Sequence, residues 1–169
     1  MKAVVQRVSR ACVRVEGRPV AQIGAGMVVL LGVMRGDAEG EALRLARRIA
    51  GFRFFPDEAG RMNRSAREVA AAALVVSQFT LAADGRKGRR PSFDAAATPA
   101  QAEPLYERFA AALAQAGLPT ATGRFGARME LELVNDGPVT FVLEELPGSA
   151  REAPPGSGAG APDSSQVLS

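Results

Sequence analysis

The feature that most constrains this chain is the apolar run Met27 to Met34, MVVLLGVM, set off by Gly24 and Gly26. It falls far short of the ~20 residues that cross a bilayer. A short run so rich in valine and leucine is expected to be a strand covered on both faces. Such a strand needs neighbours, and the sequence supplies them. Residues 3–8 and 11–16 read as strands, the second with Ala11, Val13 and Val15 alternating against Cys12, Arg14 and Glu16. Glu16 to Pro19 reads as a turn and 20–23 as a short return strand. Phe52 to Phe55, Leu74 to Leu81, Met129 to Leu133 and Val139 to Leu146 complete the strand set.

Two helices are expected. In the first, Asp37 is the candidate N-cap, Leu43, Ala46, Ile49 and Ala50 recur at helical spacing, and Gly51 ends the run. In the second, Thr98 and Gln101 have capping-box spacing around Pro99, and Leu105, Phe109, Leu113 and Ala116 form an apolar stripe closed by Gly117. Pro104 conflicts with that helix and predicts a kink or a later start. The fold class expected is α/β (α+β): a small β-barrel-like curved sheet with two helices packed outside, over residues 1–146. Residues 147–169 are rich in Pro, Gly and Ser and read as a disordered tail.

Absences narrow the chemistry. The chain has 1 cysteine, Cys12, and 0 histidines. A Ser-His-Asp triad, a Cys-His pair and a His-ligated metal site within the chain are excluded. No metal or cofactor is expected. Carboxylates, lysines, backbone amides or the substrate must carry any hydrolysis. The opening MKAVVQRVSR does not read as a signal peptide, so a cytoplasmic location is expected, with no membrane partner. The net charge of +3 is weak, but Arg86, Lys87, Arg89 and Arg90 gather in one stretch. That cluster is either a phosphate-attracting loop or a solvated one.

Two segments carry polar groups where sites form. Ser77-Gln78-Phe79-Thr80 ends an apolar strand beside the basic loop. Its hydroxyls and amide either bind a polar ligand or satisfy neighbouring backbone. Asn135-Asp136-Gly137-Pro138 is either an ordinary hairpin turn or a cis Gly-Pro step presenting two carbonyls together.

In order along the chain, several segments resemble the D-aminoacyl-tRNA deacylase family. These are Gln6-Arg7-Val8 through Ala11-Cys12-Val13, Val75 through Leu81 with its Ser77-Gln78-Phe79-Thr80 motif, Arg90-Pro91-Ser92-Phe93, Thr122 through Met129, and Asn135 through Thr140 (the NxGPxT motif). The resemblance implies a homodimer with each active site built across the interface. Ser77, Gln78, Phe79 and Thr80 would hold the 3′-terminal adenosine and its aminoacyl ester, with the amides of Phe79 and Thr80 as the oxyanion hole. Phe125 and Met129 would line the adenine pocket. Gly137-Pro138 of the partner chain, in the cis form, would reject L-aminoacyl groups, supported by Arg7, Asn135 and Thr140. The implied reaction is hydrolysis of D-aminoacyl-tRNA, and of glycyl-tRNA(Ala), assisted by the tRNA's own 2′-hydroxyl. Arg86, Lys87, Arg89 and Arg90 would meet the tRNA backbone. The alternative is a non-enzymatic tRNA-binding module.

Overall fold

A computed structural model describes residues 1–86 and 88–148. Lys87 and the segment 149–169, which holds nearly all of the expected disordered tail, lie outside the described residues. The element order is β1 (Lys2–Val15), β2 (Arg18–Ile23), β3 (Gly26–Gly32), α1 (Glu39–Gly51), β4 (Arg53–Pro56), β5 (Met62–Ser65), β6 (Ala72–Ser77), a 3-10 turn (Phe79–Ala82), α2 (Pro99–Gln115), β7 (Thr120–Thr122) and β8 (Glu130–Glu144). The main sheet runs β2-β1-β3-β6-β7, with β8 along the other side of β1. Strands β3, β6 and β7 are mutually parallel; β1 is antiparallel to β2, β3 and β8. The expected α+β, barrel-like sheet with two helices is the architecture found.

The apolar run forms β3, and both of its faces are buried. On one face, Met27, Val29 and Leu31 join Ala73 and Val75 under Ala42, Leu45 and Ile49 of α1 and Phe109 and Leu113 of α2. On the other, Val28, Leu74 and Val76 meet Val8, Ala11 and Val13 inside the curve of the sheet. The two helices pack on each other over the first face.

Five expectations need correction. Residues 3–8 and 11–16 are one strand, because β1 passes straight through Ser9 and Arg10. A bulge there, where β1 and β8 slip register between Val8 and Arg10, puts Val8 and Ala11 on the same face despite their odd spacing. The β6 strand stops at Ser77 rather than Leu81, and Phe79 begins a 3-10 turn. Asp37 does not cap α1: its carboxylate takes the Met1 amine at 2.7 Å and the Met34 N–H at 2.6 Å. Ala38 is the N-cap, and the Glu41 carboxylate accepts its N–H at 2.9 Å. Helix α2 runs from Pro99 with Pro104 inside it, so it does not start later. Its capping pair is formed, Thr98 N–H and Oγ1 both donating to Gln101 Oε1, and Tyr106 and Ala110 join Phe109 and Leu113 on its buried face. Strand β5 was not anticipated.

The fifth correction reaches the functional segments. Asn135 to Pro138 is not a hairpin turn. Both halves of β8 pair with the same strand, Gln6 opposite Thr140 and Val8 opposite Asn135. Arg7 alone stands between Gln6 and Val8, whereas Asp136, Gly137, Pro138 and Val139 stand between Asn135 and Thr140. The surplus residues are extruded as a wide bulge.

Near the end of β8, Glu41 and Glu145 are both buried and share Arg44. Burial pushes the Glu41 carboxyl upward, but the amides of Ala38 and Gly148 and the Arg44 guanidinium outweigh it and lower its pKa below 4.5. A depressed folded pKa means stability that is present above the unfolded value and lost as pH falls through the folded one. Glu41→Gln should therefore flatten the acid limb of a thermal-melting pH profile below about pH 5. An acid limb as steep as that of the parent chain would rule this out.

Candidate active site

At the end of β6 the sheet opens into an apolar cleft of about 580 Å³. One wall is Val76, Ser77, Gln78 and Phe79; a second is Phe125, Gly126, Ala127, Met129 and Leu131; the third is Val33 with Ala96, Ala97, Pro99 and Ala102. The structure thus gathers Ser77, Gln78, Phe79, Phe125 and Met129 on one cavity, with Thr80 next along the chain. No charged side chain lines it.

The 3-10 turn matters chemically. Gln78 N–H donates to Leu31 and Leu81 N–H donates to Gln78, while the N–H groups of Phe79 and Thr80 find no acceptor among the described residues. Two successive free amides at the start of a turn are donors available to an external oxygen. The Thr80 hydroxyl accepts from Gln78 Nε2 at 2.5 Å. No carboxylate or amine shares a hydrogen bond or ion pair with Thr80 among the described residues. Phe79 is 57% exposed and meets Phe93 edge to face at 5.1 Å, so these two rings form one lip.

The second wall is fixed by a residue that sequence reasoning missed. Buried Tyr106 donates its hydroxyl to the Val75 carbonyl at 2.9 Å and packs its ring 5.7 Å from Phe125. Burial pushes its phenol up to about 12, so it stays a neutral donor. Its position beside the α2 stripe was the available signal. The alanines of the third wall, Ala96, Ala97 and Ala102, carry no sequence signal of their own. At Gly123 a Cβ would stand 2.7 Å from Met129 Sδ, so the thioether would have to swing aside.

The second segment is elsewhere. The Gly137-Pro138 bond is cis. Asn135 Oδ1 accepts the Val139 N–H at 2.9 Å, and Asn135 Nδ2 donates to Thr140 Oγ1 at 2.9 Å, closing the neck of the bulge. Arg7 crosses beneath it, ion-paired to Asp136 at 3.0 Å and donating Nη1 to the Phe54 carbonyl at 2.8 Å. None of Asn135 to Thr140 lines the cleft. Along the register Ser77 stands level with Leu31 and Ala3, and the bulge stands level with Arg7. That is about 13 Å along the strands, with three strand spacings of ~4.8 Å across. One chain does not bring the two segments together.

The basic stretch divides. Asp84 and Ser92 close the loop through paired backbone bonds of 2.8 and 2.9 Å. Arg86 is held by Asp84 at 2.6 Å, and its guanidinium keeps that carboxyl down at about 2. Arg89 and Arg90 are exposed.

Comparison with known proteins fits this arrangement. A profile of the family described as D-Tyr-tRNA(Tyr) deacylase matches residues 4–144. A D-aminoacyl-tRNA deacylase of Cereibacter sphaeroides (strain KD131) is 58% identical over 144 residues, 85% of this chain and 99% of that protein. One from Symbiobacterium thermophilum is 60% identical, over 85% of this chain and 95% of its own length. Among solved structures, a c-Myc DNA unwinding element binding protein superposes with a TM-score of 0.82 at 42% identity, covering 86% of this chain and 99% of that one. At this identity, over nearly the whole described fold, the chain belongs to the D-Tyr-tRNA(Tyr) deacylase family.

Proposed function

We propose that this protein is an editing hydrolase that cuts the ester of D-aminoacyl-tRNA, and of glycyl-tRNA(Ala), in the cytoplasm, releasing the amino acid and the tRNA. The observation that carries the reading is the pair of unpartnered amides at Phe79 and Thr80 beside an uncharged cleft. Preorganised N–H donors are suited to the oxyanion that forms when water attacks an ester. Ser77 and Gln78 supply polar contacts for the ribose and ester, and Phe125 and Met129 supply apolar surface for the adenine.

A chain with 0 histidines offers no imidazole base. The family resemblance implies that the terminal 2′-hydroxyl of the tRNA orients or activates the water. The protein then contributes positioning and electrostatic stabilisation. Rejection of L-aminoacyl groups is assigned to Gly137-Pro138 of a partner protomer, with Arg7, Asn135 and Thr140 holding the bulge. The separation of bulge and cleft within one chain supports a homodimer in which each protomer completes the other's site.

Incubation with D-tyrosyl-tRNA and L-tyrosyl-tRNA tests the reading: ester loss from the D form alone is expected. Binding without ester loss would favour a non-enzymatic tRNA-binding module, which exposed Arg89 and Arg90 also suit. Thr80→Val should keep a measurable rate, within about 10-fold of the parent, because its hydroxyl has no base to make it a nucleophile. Mass spectrometry of quenched reactions should find no acyl-enzyme. An aminoacyl adduct on Thr80 would overturn the mechanism.

A further inference from the structure

Charge near the cleft differs from charge elsewhere on the described surface. Away from the cleft, arginines are mostly spent. Arg10, Arg44, Arg61 and Arg108 pair with carboxylates. Arg47, Arg48, Arg53 and Arg64 bind backbone carbonyls. Arg35, Arg89, Arg90, Arg124 and Arg128 are exposed, and none has a side-chain partner among the described residues. Arg18 and Arg67 are exposed in the same way, and half-buried Arg14 likewise has no side-chain partner among the described residues.

Three of the unspent arginines, Arg35, Arg124 and Arg128, stand on the margins of two cleft walls. Arg124 and Arg128 bracket Phe125, Gly126 and Ala127. Arg35 lies two residues beyond Val33, and its N–H donates to the carbonyl of Ala95, the neighbour of Ala96, at 2.8 Å. Asp37, Asp94 and Glu130 are the nearby acidic residues in sequence; Asp37 is ion-paired to the Met1 amine, and none of the three makes an ion pair with these arginines. The cleft itself holds no charge. A ligand seated there buries an uncharged end and must leave any phosphates outside. Exposed guanidiniums with no counter-ion are suited to bind phosphate in a bidentate manner.

We infer that Arg35, Arg124 and Arg128 form a phosphate-binding rim that grips the acceptor-strand backbone as the tRNA end enters the cleft. This rim acts with Arg89 and Arg90 but is separate from their loop. The inference rests on the reading of tRNA as substrate, and it assigns the backbone contacts mainly to residues outside the basic stretch.

The test is a salt titration of binding to uncharged tRNA, which needs no turnover. Each phosphate contact contributes ~0.7 to ~0.9 to the slope of log affinity against log salt. The double variant Arg124→Glu, Arg128→Glu should lower that slope by about 1.5 and weaken binding at least ~10-fold at ~0.1 M salt. Arg47→Glu, Arg67→Glu makes the same charge change away from the cleft and should leave the slope near its parent value. An unchanged slope in the rim variant, an equal fall in both variants, or no tRNA binding by the parent chain would overturn the rim. D-tyrosyl-tRNA hydrolysis by the parent, followed in parallel, separates the two ideas. A protein that binds tRNA through the rim but leaves the ester intact overturns the deacylase reading alone.

Discussion

Gly26→Ala is expected to lower the melting temperature by roughly 10 °C or more, the largest stability effect of any single methyl in the described fold. Gly26 starts β3 and pairs with Ala72 of the parallel strand β6. A Cβ built on it would stand 2.1 Å from the Ala72 carbonyl oxygen and 2.9 Å from its carbon and nitrogen. These are backbone atoms where two inner strands of the sheet begin, so no side chain can swing aside. The strands would have to separate where Val28, Leu74 and Val76 hold one core and Val29 and Val75 the other. Overpacking a close-packed interior costs ~1–3 kcal/mol where neighbours can yield, and more where they cannot. We expect at least ~3 kcal/mol. Gly24→Ala is the matched control, because nothing lies within 4 Å of its Cβ position. Thermal unfolding followed by circular dichroism decides the matter. A shift under a few degrees for Gly26→Ala, or an equal shift for Gly24→Ala, would show that the close approach does not carry the effect.

The same pairing explains what the sequence could and could not say. The run Met27 to Leu31 was legible as a doubly covered strand because its composition admits little else. The α1 spacing of Ala46, Ile49 and Ala50 and the Thr98–Gln101 pair were legible because their periods and caps are local. What failed was non-local. Asn-Asp-Gly-Pro suits a hairpin turn and a wide bulge equally, and only the pairing of both halves of β8 with β1 distinguishes them. Ser9 and Arg10 gave no hint of a bulge, since parity can be judged only against a partner strand. Met62 to Ser65 has no apolar alternation and was missed as β5. At the site, Ser77, Gln78 and Phe79 stood out as a polar strand end and Phe125 and Met129 were named only through the family resemblance; all five share one cleft. The small residues of the third wall and the buried Tyr106 were not named. Alanines advertise no chemistry, and the hydroxyl of Tyr106 has a role only once Val75 is placed beside it.

The largest effect on activity is expected at Gly137. Its φ is +126°, a backbone region that side chains rarely adopt. A Cβ there would lie 2.6 Å from Val139 Cγ2, 3.1 Å from the Val139 nitrogen and 3.2 Å from Arg7 Nη2. The contacts at risk are the ones that hold the bulge: the Val139 N–H bond to Asn135, and the reach of Arg7 to Asp136 and to the Phe54 carbonyl. Gly137→Ala should therefore displace the bulge while leaving most of the core, which the bulge touches only through Val139. If the bulge completes a partner's cleft, kcat/KM for D-tyrosyl-tRNA should fall at least ~100-fold, a cost of ~2.7 kcal/mol in transition-state stabilisation. The melting temperature should drop only a few degrees, since strain of this kind is worth ~1–3 kcal/mol. Asp136→Ala keeps the glycine and removes only the ion pair to Arg7, so its loss should be smaller. Adding Val139→Ala to Gly137→Ala removes the nearest clashing atom and should recover part of the activity, though the positive φ remains. Equal kcat/KM in Gly137→Ala and the parent would remove the bulge from the site. A double variant no better than the single would place the loss on the backbone conformation rather than on the contact with Val139.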